Sequence, residues 1–267
     1  MNKMRIYAIV IVIVALVFAF LIYTNFSTPS NSDAGVESLI GKPVPQSVVS
    51  MLNISTSLSN RIGAGTIAGF PTKITNATPL VNGTKPEVLY IGAEYCPYCA
   101  VTRWGLIIAL MRFGQFSNLH YMASNATDVY GDTPTFTFVN STYQSNYISF
   151  VSVETQARNR APLQNPTDAQ NYIFGTYNPS GGIPFIDFGN LSFQSGASAD
   201  AGLIYGHTWN YTLANLTNTS SPISQSIIGN ADIFTAEICK MTNFTPSSVC
   251  SQSYVTSIVT SMNANGG

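Results

Sequence analysis

The pattern of apolar and polar residues predicts a mixed α/β domain built around a strand–turn–helix unit. Residues 88–93 form an apolar run that is typical of a buried strand. After a short turn, apolar residues recur at spacings of three and four from Ala100 to Met111, which predicts a helix that stops near Gly114. A second strand is predicted at 119–124, so the unit would be a right-handed parallel βαβ arrangement.

The same patterns predict further elements on both sides of this unit. Upstream, residues 47–60 read as one amphipathic helix. Downstream, the predicted strands are 133–140, 147–153, 184–188 and 191–195, and the predicted helices are 168–174, 209–216, 223–241 and 246–262. His120 and His207 are expected to be structural residues, because neither has the spacing of a metal ligand. No metal site and no cofactor are indicated.

The N-terminal residues predict a membrane anchor. An apolar run of 18 residues, 6–23, is close to the lower limit for a spanning helix. Lys3 and Arg5 favour a cytoplasmic N-terminus, which would place the rest of the chain on the extracellular face. A cleaved signal peptide is the alternative, but the length of the run and the lack of an Ala-X-Ala site favour an anchor.

These observations divide the chain into four parts. The expected parts are a cytoplasmic segment at 1–5, a transmembrane helix in the lipid bilayer at 6–24, a flexible tether at 25–36 and an extracytoplasmic domain at 37–262. At its start the domain carries an extension. It also carries a helical and irregular insertion at about 125–180, before the strand at 184–188.

Composition then narrows the possible functions. Only 9% of the residues are charged and the net charge is −1, so nucleic-acid binding has no electrostatic basis. Eleven Asn-X-Ser/Thr sites occur, where chance gives roughly 4–5, and this favours N-linked glycans on an external surface. An Asn- and Thr-rich composition without glycans is the alternative. Asn25 lies too close to the apolar run, and the candidate acceptors are Asn53, Asn76, Asn82, Asn125, Asn140, Asn190, Asn210, Asn215, Asn218 and Asn243.

The candidate chemistry lies at Cys96-Pro97-Tyr98-Cys99, where the predicted strand leads into the predicted helix. A helix N-terminus stabilises an anion, so a cysteine there has a lowered pKa and a larger thiolate fraction. Cys96 is therefore expected to attack disulfides, and Cys99 to resolve the mixed disulfide. Pro97 suits the first helical position, and with Tyr98 it is expected to tune the helix start and to contact the substrate.

This stretch resembles the thioredoxin superfamily, and Cys-Pro-Tyr-Cys is similar to the glutaredoxin-type motif. The superfamily also has a cis-proline that faces the disulfide and opens a strand, and Gly181-Gly182-Ile183-Pro184-Phe185 matches that pattern. The resemblance implies a thioredoxin-like fold, a catalytic role for Pro184 and pairing of an extended substrate with the Ile183 backbone. The wider layout, over roughly 37–262, resembles archaeal membrane-anchored proteins of unknown function with a thioredoxin-like domain.

Three interpretations of the Cys96/Cys99 pair remain open: thiol–disulfide exchange, which is favoured, a static disulfide, and half of a metal site. Glu94 is expected either to tune the thiols or to be a solvated turn residue. Arg103 is expected to face solvent or a carboxylate, and Trp104 to lie in the core.

The other two cysteines, Cys239 and Cys250, bracket the turn between the last two predicted helices. An even cysteine count in an exported protein predicts bridges, so we expect a structural disulfide between them.

The favoured function is a membrane-anchored extracytoplasmic thiol–disulfide oxidoreductase. It would act on exported protein thiols and disulfides with a membrane or extracytoplasmic redox partner. The alternative is a heavily glycosylated cell-surface protein of structural or assembly function, in which the Cys96–Cys99 disulfide is static.

Overall fold

The computed structural model describes residues 33–265. In chain order, its helices are α1 Asp33–Glu37, α2 Gln46–Met51, α3 Thr56–Ile62, α4 Pro97–Met111, α5 Asp168–Tyr177, the 3-10 turn Ala201–Leu203, α6 Trp209–Leu216, α7 Pro222–Met241, α8 Ser247–Cys250 and α9 Ser253–Ala264. The strands are β1 Thr72–Lys73, β2 Val81–Asn82, β3 Lys85–Gly92, β4 Gly114–Ser117, β5 His120–Ala123, β6 Pro134–Thr137, β7 Thr142–Ser145, β8 Ser149–Glu154, β9 Phe185–Phe188 and β10 Ser192–Ser195.

The main sheet has six strands, and β3 lies at its centre. β3 pairs antiparallel with β9 on one side and parallel with β8 on the other. β10 and β1 continue the sheet antiparallel beyond β9, and the short β2 pairs with the start of β3. Two separate two-stranded sheets are formed by β4 with β7 and by β5 with β6.

Both faces of β3 are buried, which explains why its sequence is a continuous apolar run rather than an alternating one. Val88 and Tyr90 belong to the large core cluster that also contains α4 and α7. Leu89 and Ile91 belong to a second cluster on the opposite face, where Phe174 of α5 packs against it. The sheet is therefore covered by helices on both faces.

α4 is deeply buried next to the sheet. Every residue from Pro97 to Leu110 is buried except Tyr98. At Gly105 the helix comes close to α7, because a Cβ placed there would lie 3.0 Å from the Asn230 side chain. Packing thus encloses α4 along most of its length.

The structure contains a parallel strand pair joined through α4, as predicted, but the second strand of the pair is not the predicted one. The parallel partner of β3 is β8, and the strand predicted at 119–124 is β5, which pairs antiparallel with β6. The other edge of β5 is also occupied, since Tyr121 exchanges backbone hydrogen bonds with Gly41 and Lys42. β5 therefore has no free edge for β3, and the crossover from β3 to β8 contains α4 and four short strands.

Two predicted helices are each divided in the structure. The helix predicted at 47–60 is α2 and α3, because the Ser55 side chain accepts a hydrogen bond from Leu58 N and starts a new helix. The helix predicted at 246–262 is α8 and α9, and the carboxamide of Asn60 accepts from Tyr254 N at the start of α9. Residues 33–36, assigned to the tether, form most of α1, where Val36 is buried.

The predicted membrane helix and the membrane-anchored location are corrected by the structure. The segment 6–24 lies outside the described residues, and so do 1–5 and most of the tether. Within residues 33–265, no helix is long and apolar enough to cross a membrane. The longest described helix, α7, carries Asp232, Glu237 and Lys240 and packs inside the domain. The fold class that the structure supports is a mixed α/β domain.

Candidate functional site

Cys96 is the residue at which the chain leaves the β3 region and begins α4. It is the N-cap of α4, with extended backbone angles (φ −81°, ψ 122°), and Pro97 follows at the first helical position. The Cys96 sulfur accepts a hydrogen bond from the Cys99 backbone N–H at 3.3 Å. Cys96 is only 4% exposed, so little of its surface meets solvent.

The surroundings of Cys96 favour its thiolate. A hydrogen bond with the Cys99 side chain lowers the pKa of Cys96, and burial opposes this effect. The Cys99 backbone N–H and the positive charge of Arg103 lower the Cys96 pKa further. The net result is a lowered pKa, which increases the fraction of nucleophilic thiolate.

Cys99 lies one turn along α4 in the opposite electrostatic state. It is fully buried, and burial raises the pKa of its thiol well above the ordinary value. The neighbouring Cys96 raises the Cys99 pKa further. The two sulfurs are both free thiols in the structure. The pair therefore combines one activated thiol with one protected thiol.

The segment before β9 lies directly against Cys96. In its thiol form, Cys96 Sγ donates a long hydrogen bond of 3.9 Å to the Ile183 carbonyl oxygen. The Ile183–Pro184 peptide is cis, and Pro184 is buried at the start of β9. The backbone N–H of Ile183 has no hydrogen-bond partner among residues 33–265. The structure thus brings together the cysteine pair and the Ile183–Pro184 step.

The two residues between the cysteines differ in accessibility. Pro97 is buried beneath the helix start, whereas Tyr98 is 43% exposed and packs edge-on against Tyr130. Of the three residues predicted to contact the substrate, Ile183 and Tyr98 therefore have accessible atoms. Pro97 is buried and serves as the first residue of α4.

A buried ion pair lies beneath the site, and the sequence does not single out its acidic partner, Glu154. Arg103 is fully buried and donates two hydrogen bonds to the Glu154 carboxylate, at 2.8 and 2.7 Å. It also donates to the Ala93 carbonyl oxygen at 2.7 Å. The expectation that Arg103 faces a carboxylate is met, but not its alternative of facing solvent. The available signal was an arginine inside an apolar helix, since such residues are buried only when paired.

Glu94 is not a solvated turn residue, because it is only 6% exposed. Its Oε1 accepts a hydrogen bond from the Thr137 hydroxyl at 2.6 Å. Trp104 lies in the core as predicted, with its indole N–H donating to the Pro134 carbonyl at 2.8 Å.

The predicted disulfide between Cys239 and Cys250 is present, with an S–S distance of 2.01 Å. It joins the end of α7 to the end of α8, and both cysteines are buried. This bridge is separate from the Cys96/Cys99 pair.

The ten candidate glycan acceptors fall into two groups. Three are half-buried, and each donates its side-chain N–H to a backbone carbonyl: Asn125 to Arg158, Asn190 to Thr78 and Asn215 to Tyr211. The exposed group is Asn53, Asn76, Asn82, Asn140, Asn210, Asn218 and Asn243. Asn25 lies outside the described residues.

Neither histidine belongs to a cluster of metal-ligating side chains in the described part of the chain. Within residues 33–265, no group of three or more His, Cys, Asp or Glu side chains could hold a metal ion. His120 pairs with Thr137 between β5 and β6, and the ring of His207 stacks on Tyr211 at 3.8 Å.

Comparison with known proteins gives one match. The family described as "Domain of unknown function (DUF929)" matches residues 71–175, which is less than half of the chain. The match includes both Cys96 and Cys99 but ends before Pro184. No curated protein and no solved structure matches the chain.

Proposed function

We propose that the protein is a thiol–disulfide oxidoreductase with a thioredoxin-like core, in which Cys96 is the attacking thiol and Cys99 the resolving thiol. One observation carries this proposal. The Cys96 sulfur lies at the N-terminus of a buried helix, receives the Cys99 N–H and faces the Ile183 carbonyl. The two short motifs on which the thioredoxin resemblance rests, far apart in sequence, are therefore neighbours in space.

The reductive direction follows in two steps. The Cys96 thiolate attacks a substrate disulfide R–S–S–R′, forming a Cys96–S–S–R bond and releasing R′–S⁻, which takes a proton from water. Cys99 then loses its proton and attacks the Cys96 sulfur, so that the Cys96–Cys99 disulfide forms and R–S⁻ leaves. Two electrons pass from the protein dithiol to the substrate. An external dithiol restores the reduced pair, and the same steps in reverse oxidise a substrate dithiol.

The surroundings of the two thiols match these roles. The first step needs a thiolate, and the lowered pKa of Cys96 supplies it. The second step needs a thiol that does not react with other molecules in the meantime, and the burial of Cys99 provides that protection. The unpaired N–H and the carbonyl of Ile183 can hold an extended substrate segment beside the sulfurs.

The test is dithiothreitol-dependent reduction of insulin. The unchanged protein should accelerate it, and Cys96→Ser or Cys99→Ser should return the rate to that without protein. The matched control is the double variant Cys239→Ser/Cys250→Ser. Since it opens only a short loop, it should lose about 2–3 kcal/mol of stability and keep its rate when assayed well below its melting temperature.

Either of two results would contradict the proposal. The unchanged protein could fail to accelerate insulin reduction, or the single active-site variants could be as fast as the unchanged protein. The first result would favour a protein that keeps the cysteine pair without turnover, and the second would place the activity elsewhere than at this pair.

A further inference from the structure

An open cavity of about 380 Å³ lies next to the cysteine pair. It is lined by Glu94 and by residues 125–127 and 157–159. Glu94 precedes Cys96 by two residues, so their Cα atoms are at most about 7.6 Å apart. The volume is at the lower end of the range for ligand sites, which suits one long side chain better than a large cofactor.

The buried group in this cavity is the Glu94 carboxylate. Glu94 is only 6% exposed, and the Thr137 hydroxyl donates a hydrogen bond to its Oε1. The other oxygen, Oε2, has no hydrogen-bond partner, and the carboxylate has no cationic partner, among residues 33–265. Because this oxygen is not sealed from solvent, a ligand that enters the open cavity can reach it.

The arginines in this region are already neutralised. Arg103 is bound by Glu154 beneath the site, which leaves Arg158 and Arg160 near the cavity. Arg158, which lines the cavity, is bound by the carboxylates of Glu37 and Asp132. Arg160 is bound by Asp128 at 2.6 Å. Three carboxylates therefore exceed the two guanidinium groups by one negative charge, and the cavity carboxylate adds a second. The cavity is thus complementary to a cation.

The strand order places the cavity on the far side of Cys96 from Ile183. Ile183 leads into β9, residues 157–159 follow β8, and Cys96 follows β3, which lies between those two strands. An extended segment that pairs with the Ile183 backbone and passes over Cys96 therefore continues towards the cavity.

From this arrangement we infer that the Glu94 cavity is a substrate subsite for a lysine or arginine side chain near the target cysteine. The inference rests on the proposed function and specifies its substrate class. The aliphatic stem of the substrate side chain covers the cavity wall, and its charged end pairs with Glu94 Oε2.

The experiment uses pairs of short peptides that differ at one position near the cysteine. One member carries lysine and the other carries norleucine, which has the same stem length without the charge. The first measurement is binding of versions in which serine replaces the cysteine, followed by fluorescence anisotropy, so turnover is not needed. The lysine peptide should bind about tenfold more tightly at low salt, and the preference should shrink as salt rises.

The second measurement is kcat/KM for the disulfide forms of the same peptides. The lysine-to-norleucine ratio should again be about tenfold, and Glu94→Gln should bring the ratio close to one. The matched control is Asp128→Asn, which removes a nearby negative charge that is already paired with Arg160 and should keep most of the preference.

The outcomes separate the inference from the proposed function. Equal binding of the two serine peptides to the unchanged protein, or a ratio that Glu94→Gln leaves unchanged, would overturn the subsite. Selective binding of the lysine peptide without any turnover would support the subsite and contradict the oxidoreductase.

Discussion

At the scale of single residues, several carboxyl groups lie in the interior of this sparsely charged chain. Asp187 of β9 is fully buried, and one of its oxygens has no hydrogen-bond partner within the described residues. Burial raises its pKa from the ordinary value of 3.8 to about 7, and the nearby Glu87 adds to the rise. Burial likewise raises the pKa of Asp232 to about 6. Burial thus favours the protonated form of both groups, although the Arg112 guanidinium beside Asp232 opposes the rise in its pKa.

A pH dependence of stability follows from Asp187. Its pKa is higher in the folded state, so its contribution is complete below pH 3.8 and is lost as pH rises to about 7. The loss is at most about 4 kcal/mol. Asp187→Asn cannot ionise and still accepts the Asn190 N–H bond, so it should be more stable than the unchanged protein at pH 7.5, and about equally stable at pH 4. Urea unfolding at both pH values measures this.

A suitable control is Asp168→Asn, which removes a carboxylate at an exposed position in the first turn of α5. It should lose as much stability between the two pH values as the unchanged protein does. The account of Asp187 is wrong if Asp187→Asn shows that same loss.

At the scale of elements, the N-terminal extension packs on α7 through direct backbone contact at the turn after α3. A Cβ built at Gly229, within α7, would lie 2.4 Å from the Ala64 carbonyl oxygen in the turn after α3. At Gly65 in that same turn, which has φ +53°, a Cβ would lie 2.0 Å from the Gln225 carbonyl oxygen. No side chain fits between the two elements, so the N-terminal extension is part of the core.

Gly229→Ala should therefore destabilise the protein by about 1–3 kcal/mol, because the alanine methyl group must push a backbone segment away. Gly175→Ala is the matched control in α5, where no atom lies within 4 Å of the added Cβ. That variant should gain about 0.5–1 kcal/mol, since alanine is the better helix former. Thermal melting of both variants measures the difference, and equal melting temperatures would rule out the close contact.

The elements also show which features a single sequence can predict. Thr167 and the residues that follow predict helix α5, and the structure contains this cap together with the reciprocal bond that the Thr167 N–H donates to Gln170 Oε1. Such local signals can be read from neighbouring residues. The start of α9 could not be predicted, because its N-cap Gln252 makes no side-chain capping bond and the acceptor for Tyr254 N comes from Asn60, far away in sequence. The parallel partner of β3 was also out of reach, since apolar patterns do not identify which strands pair.

At the scale of the whole molecule, the candidate site combines segments that are distant in sequence. Cys96, Cys99 and Ile183 could be selected from two short motifs, because each motif has a local chemical reason. Glu154, as the partner of Arg103, and the burial of Glu94 could not, because their roles depend on which side chains the fold brings together. A charge in the sequence is expected at the surface, and only the fold shows its buried partner.

The central claim is that Cys96 is an activated thiol beside a protected one, and its most direct test is the pH dependence of alkylation. The reduced protein is treated with iodoacetamide across a range of pH, and the modified cysteine is identified by mass spectrometry. Cys96 should react first, with a midpoint clearly below the value of about 8.5 for a free cysteine, while Cys99 stays unmodified. A Cys96 midpoint at or above about 8.5, or equal modification of Cys99, would contradict the account.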